Sequence, residues 1–196
     1  LSRRGLREPR LLRASFARPT LFYHVLPKEE PHAQLLSFLG GHEGESGIVY
    51  RSTRRKVEET AAFLQKKGVK AEAYHAGLPD AERMRVQEAF RRDECPVVVA
   101  TVAFGMGIDK PDVRFVAHLD LPKNVEGYYQ ETGRAGRDGD PAHCLLLYSA
   151  ADMAQLLYFA RQTEDEEQRS IAEKHVYAML EYAERNQCRR KALLSY

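Results

Sequence analysis

Short apolar runs alternate with polar, helix-period stretches along most of the chain. Leu21 to Leu26 is the first apolar run and reads as a strand. Pro27 to Leu39 follows as a helix, with Gly40-Gly41 as its stop. Gly47-Ile48-Val49-Tyr50 has the signature of a buried strand. Val57, Thr60, Ala61 and Leu64 recur at i, i+3, i+4 and i+7, the stripe of an amphipathic helix that Gly68 ends. Val69 to Tyr74 is again a strand. Asp80 caps a helix running through Arg92, with Val86 and Phe90 turned inward. Val97 to Ala100 and Phe115 to Leu119 are fully apolar, Asn124 to Glu131 is helical, and Cys144 to Tyr148 is a last strand.

Strands alternating with helices at this spacing imply an α/β fold, a parallel sheet with helices on both faces. Ligands of such sheets sit outside the carboxyl ends of the strands. Four polar segments follow strands here: Arg51–Arg54, His75–Leu78, Thr101–Asp109 and Leu121–Asn124. Topology therefore predicts that they converge on one rim. After Tyr148 the pattern becomes all helical. Ala150 to Ala160 is one helix. Glu164-Asp165-Glu166-Glu167 suits the start of another, because carboxylates favour the positive end of the helix dipole. Val176, Met179, Leu180 and Ala183 form its apolar stripe. The expected organisation is a connector over 1–20, an α/β domain over 21–150 and a separate small helical subdomain over 151–196.

Composition narrows the function. The chain has 196 residues and a net charge of only +2, but residues 1–20 hold six arginines against Glu8. The remainder is net acidic, so nucleic-acid binding must be local rather than spread over a cationic body. Cys95, Cys144 and Cys188 lie far apart with no C-x-x-C pair, which suits a reduced compartment better than a disulfide framework. No apolar run approaches membrane-spanning length. The Arg-rich start with Leu11-Leu12 has a trace of a transit peptide, but a chain opening with Leu reads better as part of a longer protein.

The stretch with most chemistry is Tyr128-Tyr129-Gln130-Glu131-Thr132-Gly133-Arg134-Ala135-Gly136-Arg137-Asp138-Gly139. Arg134 and Arg137 lie on one helix face if this segment is helical. Each guanidinium is a planar fork matched to phosphate oxygens. Gly133 and Gly136 let another backbone or a polyphosphate come close. Upstream, Gly47 to Thr60 runs strand, polar loop, helix start, an arrangement that offers N–H groups and hydroxyls to a phosphate. Tyr74-His75-Ala76-Gly77-Leu78 sets small residues beside an imidazole. Phe104-Gly105-Met106-Gly107-Ile108-Asp109-Lys110-Pro111 is a tight glycine loop whose Phe104 is a base-stacking candidate or a hydrophobic plug. No Gly-x-x-x-x-Gly-Lys-Ser/Thr loop and no Asp-Glu-x-His string occurs, so this chain lacks the parts that cradle ATP phosphates and Mg²⁺.

Gln130 to Gly139 resembles the sixth motif of superfamily 2 helicases, in the form found in RecQ DNA helicases. Gly47 to Thr60 and Val97 to Pro111 resemble the fourth and fifth motifs. Ser15-Phe16-Ala17-Arg18-Pro19-Thr20 is similar to the segment leading into the second motor domain, with Ala17 and Thr20 where Asp and Asn are usual. The resemblance implies a second RecA-like domain over 21–150, followed by the start of a zinc-binding subdomain. It implies Arg137 as arginine finger and Arg134 as its partner on the γ-phosphate. Gln130, Asp109 and Gly107 would lie near ATP, with Asp109 either meeting the ribose or orienting the arginines. Ser52, Thr53, Arg54, His75, Thr101 and Asn124 would meet DNA, although capping alone would explain Asn124, and Arg51 stands where the family has Cys. Cys188 matches the first of four zinc cysteines. One cysteine cannot make a four-ligand structural site, so a free Cys188 and an incompletely packed tail are expected. By this resemblance the parent is an ATP-dependent 3′-to-5′ DNA helicase of recombination and repair. Its ATP and Mg²⁺ are held mainly by an upstream RecA-like domain. Its partners are single-stranded and duplex DNA, and its place is the bacterial cytoplasm at the nucleoid, or the nucleus. The competing readings are a non-catalytic nucleic-acid-binding module and the second domain of an RNA helicase.

Overall fold

The computed structural model describes residues 18–104 and 109–195. Most of the expected connector, together with Gly105, Gly107 and Tyr196, lies outside the described residues. The elements run β1 (Leu21–Pro27), α1 (Pro31–Leu39), β2 (Gly47–Tyr50), α2 (Arg54–Lys66), β3 (Ala71–Tyr74), α3 (Asp80–Arg91), β4 (Val97–Ala100), β5 (Phe115–His118), α4 (Val125–Thr132), β6 (Ala142–Tyr148), α5 (Ala150–Arg161), α6 (Glu166–Glu184) and α7 (Arg189–Ser195). The six strands form one sheet in the order β1-β6-β5-β2-β4-β3. Every pairing is parallel.

Successive strand residues face opposite ways, so an apolar run feeds two cores at once. Val49, Val97, Val99, Phe115 and Ala117 pack with Leu35 and Leu39 of α1 and with Val57, Ala61 and Leu64 of α2. Their neighbours Ile48, Tyr50, Val98, Ala100 and Val116 pack with Val86 and Phe90 of α3 and with Phe104 on the opposite face. Helices on both faces are thus as the pattern predicts. A third cluster joins Leu121, Val125 and Tyr128 to Met179, Tyr182 and Leu193, with Leu146 and Tyr23 of the sheet beneath.

Three expectations about these elements need correction. β1 continues through Pro27, and α1 starts only at Pro31; proline suits a first helical turn, where its missing N–H has no partner to lose. Pro79, not Asp80, holds the N-cap place of α3. Asp80 lies inside the first turn, paired with Arg83, and still complements the dipole. On α6 the buried stripe is Val176, Met179, Tyr182 and Ala183, with Tyr182 taking the place expected of Leu180. The tail is packed only in part, as expected: Leu193 enters the third cluster and Arg189 donates to the Tyr182 carbonyl, while residues 184–188 and Leu194 stay exposed.

A candidate nucleic-acid and nucleotide interface

Parallel pairing brings the segments after β5, β2, β4 and β3 to the same rim. They carry, in that spatial order, Asn124, then Ser52-Thr53-Arg54, then Thr101, then His75. Four strands at their usual spacing make this row roughly 14 Å long. The ladder continues into the loops: Arg51 N–H donates to the Ala100 carbonyl at 2.8 Å, and Thr101 N–H to the Tyr74 carbonyl at 3.2 Å. The Thr53 hydroxyl accepts from Lys56 N–H and caps α2, while the Asn124 side chain accepts from Gly127 N–H at 2.7 Å and caps α4. Two helix N-termini therefore open on one rim, a setting suited to anions.

The remaining rim groups differ in availability. The Arg54 guanidinium lies over Gly77, where an added Cβ would fall 2.9 Å from Nη1. Gly77 thus makes room for the arginine, a use of the small pair that periodicity does not show. His75 is buried and uses both ring nitrogens: Gly77 N–H donates to Nδ1, and Nε2 meets Glu58 at 3.1 Å. Phe104 is fully buried and packs edge-on against Tyr74 and Phe90, which selects the plug over base stacking.

One organiser of the rim went unnoticed in the sequence. Asp120, buried just past β5, accepts from Ser52 N–H at 2.9 Å and from the Ser52 hydroxyl at 3.0 Å. Lys28 and Lys56 each reach it at 3.0 Å, and Arg51 Nε lies 3.6 Å away. Burial works to raise the Asp120 carboxyl. The charges of Arg51 and Lys28 and the Ser52 N–H overcome it and hold the group far below the usual carboxylate range. Arg51 also donates to the Leu119 carbonyl, so it ties β2 to β5 instead of facing solvent. Beside this cluster a groove of about 560 Å³ separates the rim from α5 and α6. Ser52, Thr53, Lys123, Asn124 and Phe159 share its lining with apolar Leu121, Leu156 and Val176 and with the carboxylates of Asp120 and Asp152. Hydroxyls, an amide and an ammonium suit a backbone of phosphates, and an exposed aromatic ring suits an unstacked base.

Arg134 and Arg137 lie elsewhere. α4 ends at Thr132, so the two arginines sit on a turn and not on one helix face. Gly136 has φ +59°, and a Cβ there would fall 2.8 Å from the Asp140 carbonyl. Only glycine suits that position, and its geometry ends any helical path. The turn packs on the residues preceding β5: Gly136 N–H donates to the Val113 carbonyl at 2.9 Å. Topology therefore separates the two halves of the site, with the rim at the strands' carboxyl ends and the arginine turn near their amino ends. Thr101 to Phe104 leave the rim, with Phe104 packed into the sheet face, and Asp109 to Arg114 lie toward the arginine turn.

Asp109 stands on the arginine side and is strongly exposed. Arg137 Nη1 meets its Oδ1 at 2.9 Å. Of the two roles open for Asp109, orienting an arginine has a contact in this structure. Its neighbour Lys110 is buried, bonded to Asp93 at 2.8 Å and to Asp112 at 3.0 Å, over the Phe90 ring. Asp93 sits at φ +62° and also accepts from the Ser46 hydroxyl. Lys110 thereby pins the segment beside Asp109. Gln130 is exposed on α4 one turn before the arginines. Beneath it, His118 Nε2 meets Glu131 at 2.6 Å and stacks on Tyr50, whose hydroxyl donates to the Phe104 carbonyl.

Cys188 is a free, exposed thiol, and no group of three or more His, Cys, Asp or Glu among the described residues could hold a metal. Among the described residues no helix is long and apolar enough to cross a membrane.

The chain matches the family described as Helicase conserved C-terminal domain over residues 30–139, and the one described as RecQ zinc-binding over residues 150–196. It is 49% identical to an ATP-dependent DNA helicase RecQ of Pasteurella multocida, covering 98% of this chain and 30% of that protein. It is 50% identical to an ATP-dependent DNA helicase RecQ of Haemophilus influenzae, covering 93% of this chain and 29% of that protein. Among solved structures, a DEAD box protein from Methanococcus jannaschii superposes with a TM-score of 0.59 at 29% identity, over 71% of this chain and 38% of that one. The chain thus spans under a third of the length of these curated relatives.

Proposed function

This chain belongs to the helicase conserved C-terminal domain family in its RecQ form, and from that premise we propose that it is the second motor domain of an ATP-dependent DNA helicase. The domain runs over 21–150, and 151–196 opens a zinc-binding subdomain in which Cys188 is one ligand. The observation that carries the reading is the arginine turn, which presents Arg137 at the surface, paired to an exposed Asp109. A paired but exposed guanidinium can exchange a carboxylate for a phosphate with little desolvation cost. Arg137 then acts as the finger that stabilises charge spreading over the transferring phosphoryl group. Arg134 supports the same phosphate, and Gln130 and Gly107 lie toward the nucleotide. ATP and its Mg²⁺ are held mainly on an upstream RecA-like domain, because the phosphate-cradling loop is not in this sequence.

On the rim, Ser52, Thr53, Arg54, Thr101 and Asn124 hold the DNA backbone, and His75 shapes the loop beneath Arg54. Contacts of this kind are weakly sequence-dependent and salt-sensitive. Closure of the ATP cleft onto the arginine turn alternates with opening, so hydrolysis is read at the DNA rim as stepping, 3′ to 5′. The protein works on DNA inside the cell, with single-stranded and duplex DNA as its partners.

The test is DNA-stimulated ATP hydrolysis by the full-length protein carrying this chain, with and without Arg137→Ala, alongside ATP affinity. The expected loss of turnover is about 10³–10⁵-fold with ATP binding retained. Near-normal turnover removes the finger assignment. The isolated chain is expected to bind single-stranded DNA weakly and to hydrolyse no ATP; turnover by the pure fragment would overturn the half-site reading.

A further inference from the structure

Arg18, just before β1, reaches across the fold to the arginine turn. Its Nη1 donates to the Gly133 carbonyl at 3.3 Å, and its Nη2 to the Ala135 and Gly136 carbonyls at 2.8 Å each. A carbonyl shares its rigid peptide plane with the next residue's N–H. The Gly133 carbonyl therefore belongs to the plane that leads into Arg134, and the Gly136 carbonyl to the plane that leads into Arg137. One guanidinium holds both planes from which the two arginines project. Its fork geometry makes this possible, since its donors point at several acceptors at once.

Arg18 is itself held. Arg190 of α7 donates to the Pro19 and Leu21 carbonyls at 2.8 and 2.9 Å, and Leu21 N–H donates back to the Arg18 carbonyl at 3.2 Å. The turn has little freedom to answer a change here by shifting, because Gly136 is buried against Ala142 and Leu21. Contacts thus run without a gap from α7, through residues 18–21, to the peptide planes of Arg134 and Arg137.

We propose that Arg18 is a positioning residue for the arginine turn, and that Arg190 fixes Arg18, so that the helical segment and the approach to β1 both set the aim of the ATP-facing arginines. This rests on the reading of that turn as the one that meets ATP. Displacing a reacting group by about 1 Å can cost on the order of 10²-fold in rate. Arg18 thus acts on kcat through Arg137 without touching substrate.

The experiment uses the full-length protein and steady-state, DNA-stimulated ATP hydrolysis. Arg18→Ala is expected to lower kcat about 10²-fold while KM for ATP and affinity for single-stranded DNA stay within roughly threefold. Arg18→Lys is expected to recover part of that loss, since one ammonium reaches fewer of the three carbonyls. Combined with Arg137→Ala, Arg18→Ala is expected to cause no further loss, because the plane matters only through the guanidinium it carries. An unchanged kcat, or a loss that multiplies in the Arg137→Ala background, overturns the proposal. So does an effect confined to melting temperature. If Arg18→Ala does not fold, Arg18→Lys and Arg190→Ala carry the same comparison, each expected to lower kcat at constant KM. If Arg137→Ala alone keeps its turnover, the finger reading fails by itself, and the same cycle is run on Arg134→Ala, whose plane Arg18 also holds. Independence there overturns the positioning role as well.

Discussion

Asp120 is the residue on which the rim depends, since four donors converge on its buried carboxylate. Asp120→Asn leaves buried Arg51 without its paired charge, while Lys28 keeps Asp152 as a partner. Breaking a buried pair in this way costs about 3–5 kcal/mol, and the expected result is a lower urea midpoint. The pH dependence has a definite sign. The carboxyl is held below its unfolded value, so its stabilisation is complete above about pH 4 and is lost as the pH falls toward the folded value. The gap in unfolding free energy between the unsubstituted protein and the Asp120→Asn variant should therefore narrow steadily below about pH 4 and stay constant between about pH 5 and 7. The three thiols give a second residue-level test. Burial pushes Cys95 up to about 11 and Cys144 higher still, whereas the Lys191 and Arg190 N–H groups and charges lower exposed Cys188. Iodoacetamide at pH 7.5 should label Cys188 alone in the folded protein, and all three after denaturation, as mass spectrometry of peptides would show. Why Asp120 stayed hidden is physical. A single acid after an apolar strand has no period, and its partners come from residues 28, 51, 52 and 56.

At the scale of elements, apolar runs were enough to locate the inner strands β2, β4, β5 and β6, because a strand buried on both faces has no other composition open to it, whereas the edge strands β1 and β3 are only partly buried. Boundaries moved where local chemistry overrode the period. Pro27 extends β1, and Pro79 displaces Asp80 from the cap. The arginine turn shows the largest difference. Arg134 and Arg137 have helical spacing, but the +59° backbone of Gly136 and its bond to Val113 prevent a helix. The spacing held a clue, since a second glycine so soon after Gly133 suits a turn better than a helix. Gly47 makes a further prediction. A Cβ there would overlap the Phe115 ring at 2.1–2.3 Å, with β2 and β5 hydrogen-bonded on either side of the contact. Gly47→Ala should destabilise by about 1–3 kcal/mol through overpacking, and Gly47→Ala with Phe115→Leu should recover part of it in the same denaturation assay. Recovery would be absent if the cost came from the strand backbone alone.

For the whole molecule, sequence patterning predicted a parallel sheet but was silent on strand order, which arises from pairings distant in sequence, the farthest joining Leu21 to Ala142. The helical segment after Tyr148 reads in sequence as a separate unit, yet Met179, Tyr182 and Leu193 share a core with Tyr128 and Leu146. One cooperative unfolding transition is the expected outcome, with circular dichroism and tyrosine fluorescence giving the same midpoint. Deleting residues 150–196 should expose the Tyr128 face and raise binding of a hydrophobic dye; two separated transitions would speak for independent units. The placement of β1 also governs how the chain is made. β1 is an edge strand whose sheet partner is β6, the last strand, with Leu21 opposite Ala142. At ordinary rates of synthesis, roughly 5–20 residues per second, β1 leaves the ribosome on the order of ten seconds before β6. Phe22 and Leu26 are half-exposed even in the finished sheet, so the nascent chain carries a sticky, unpaired strand throughout that interval. Slow codons between positions 28 and 141 would lengthen the exposure, and a chaperone that holds the first strand would raise the yield of folded protein more than one acting after release.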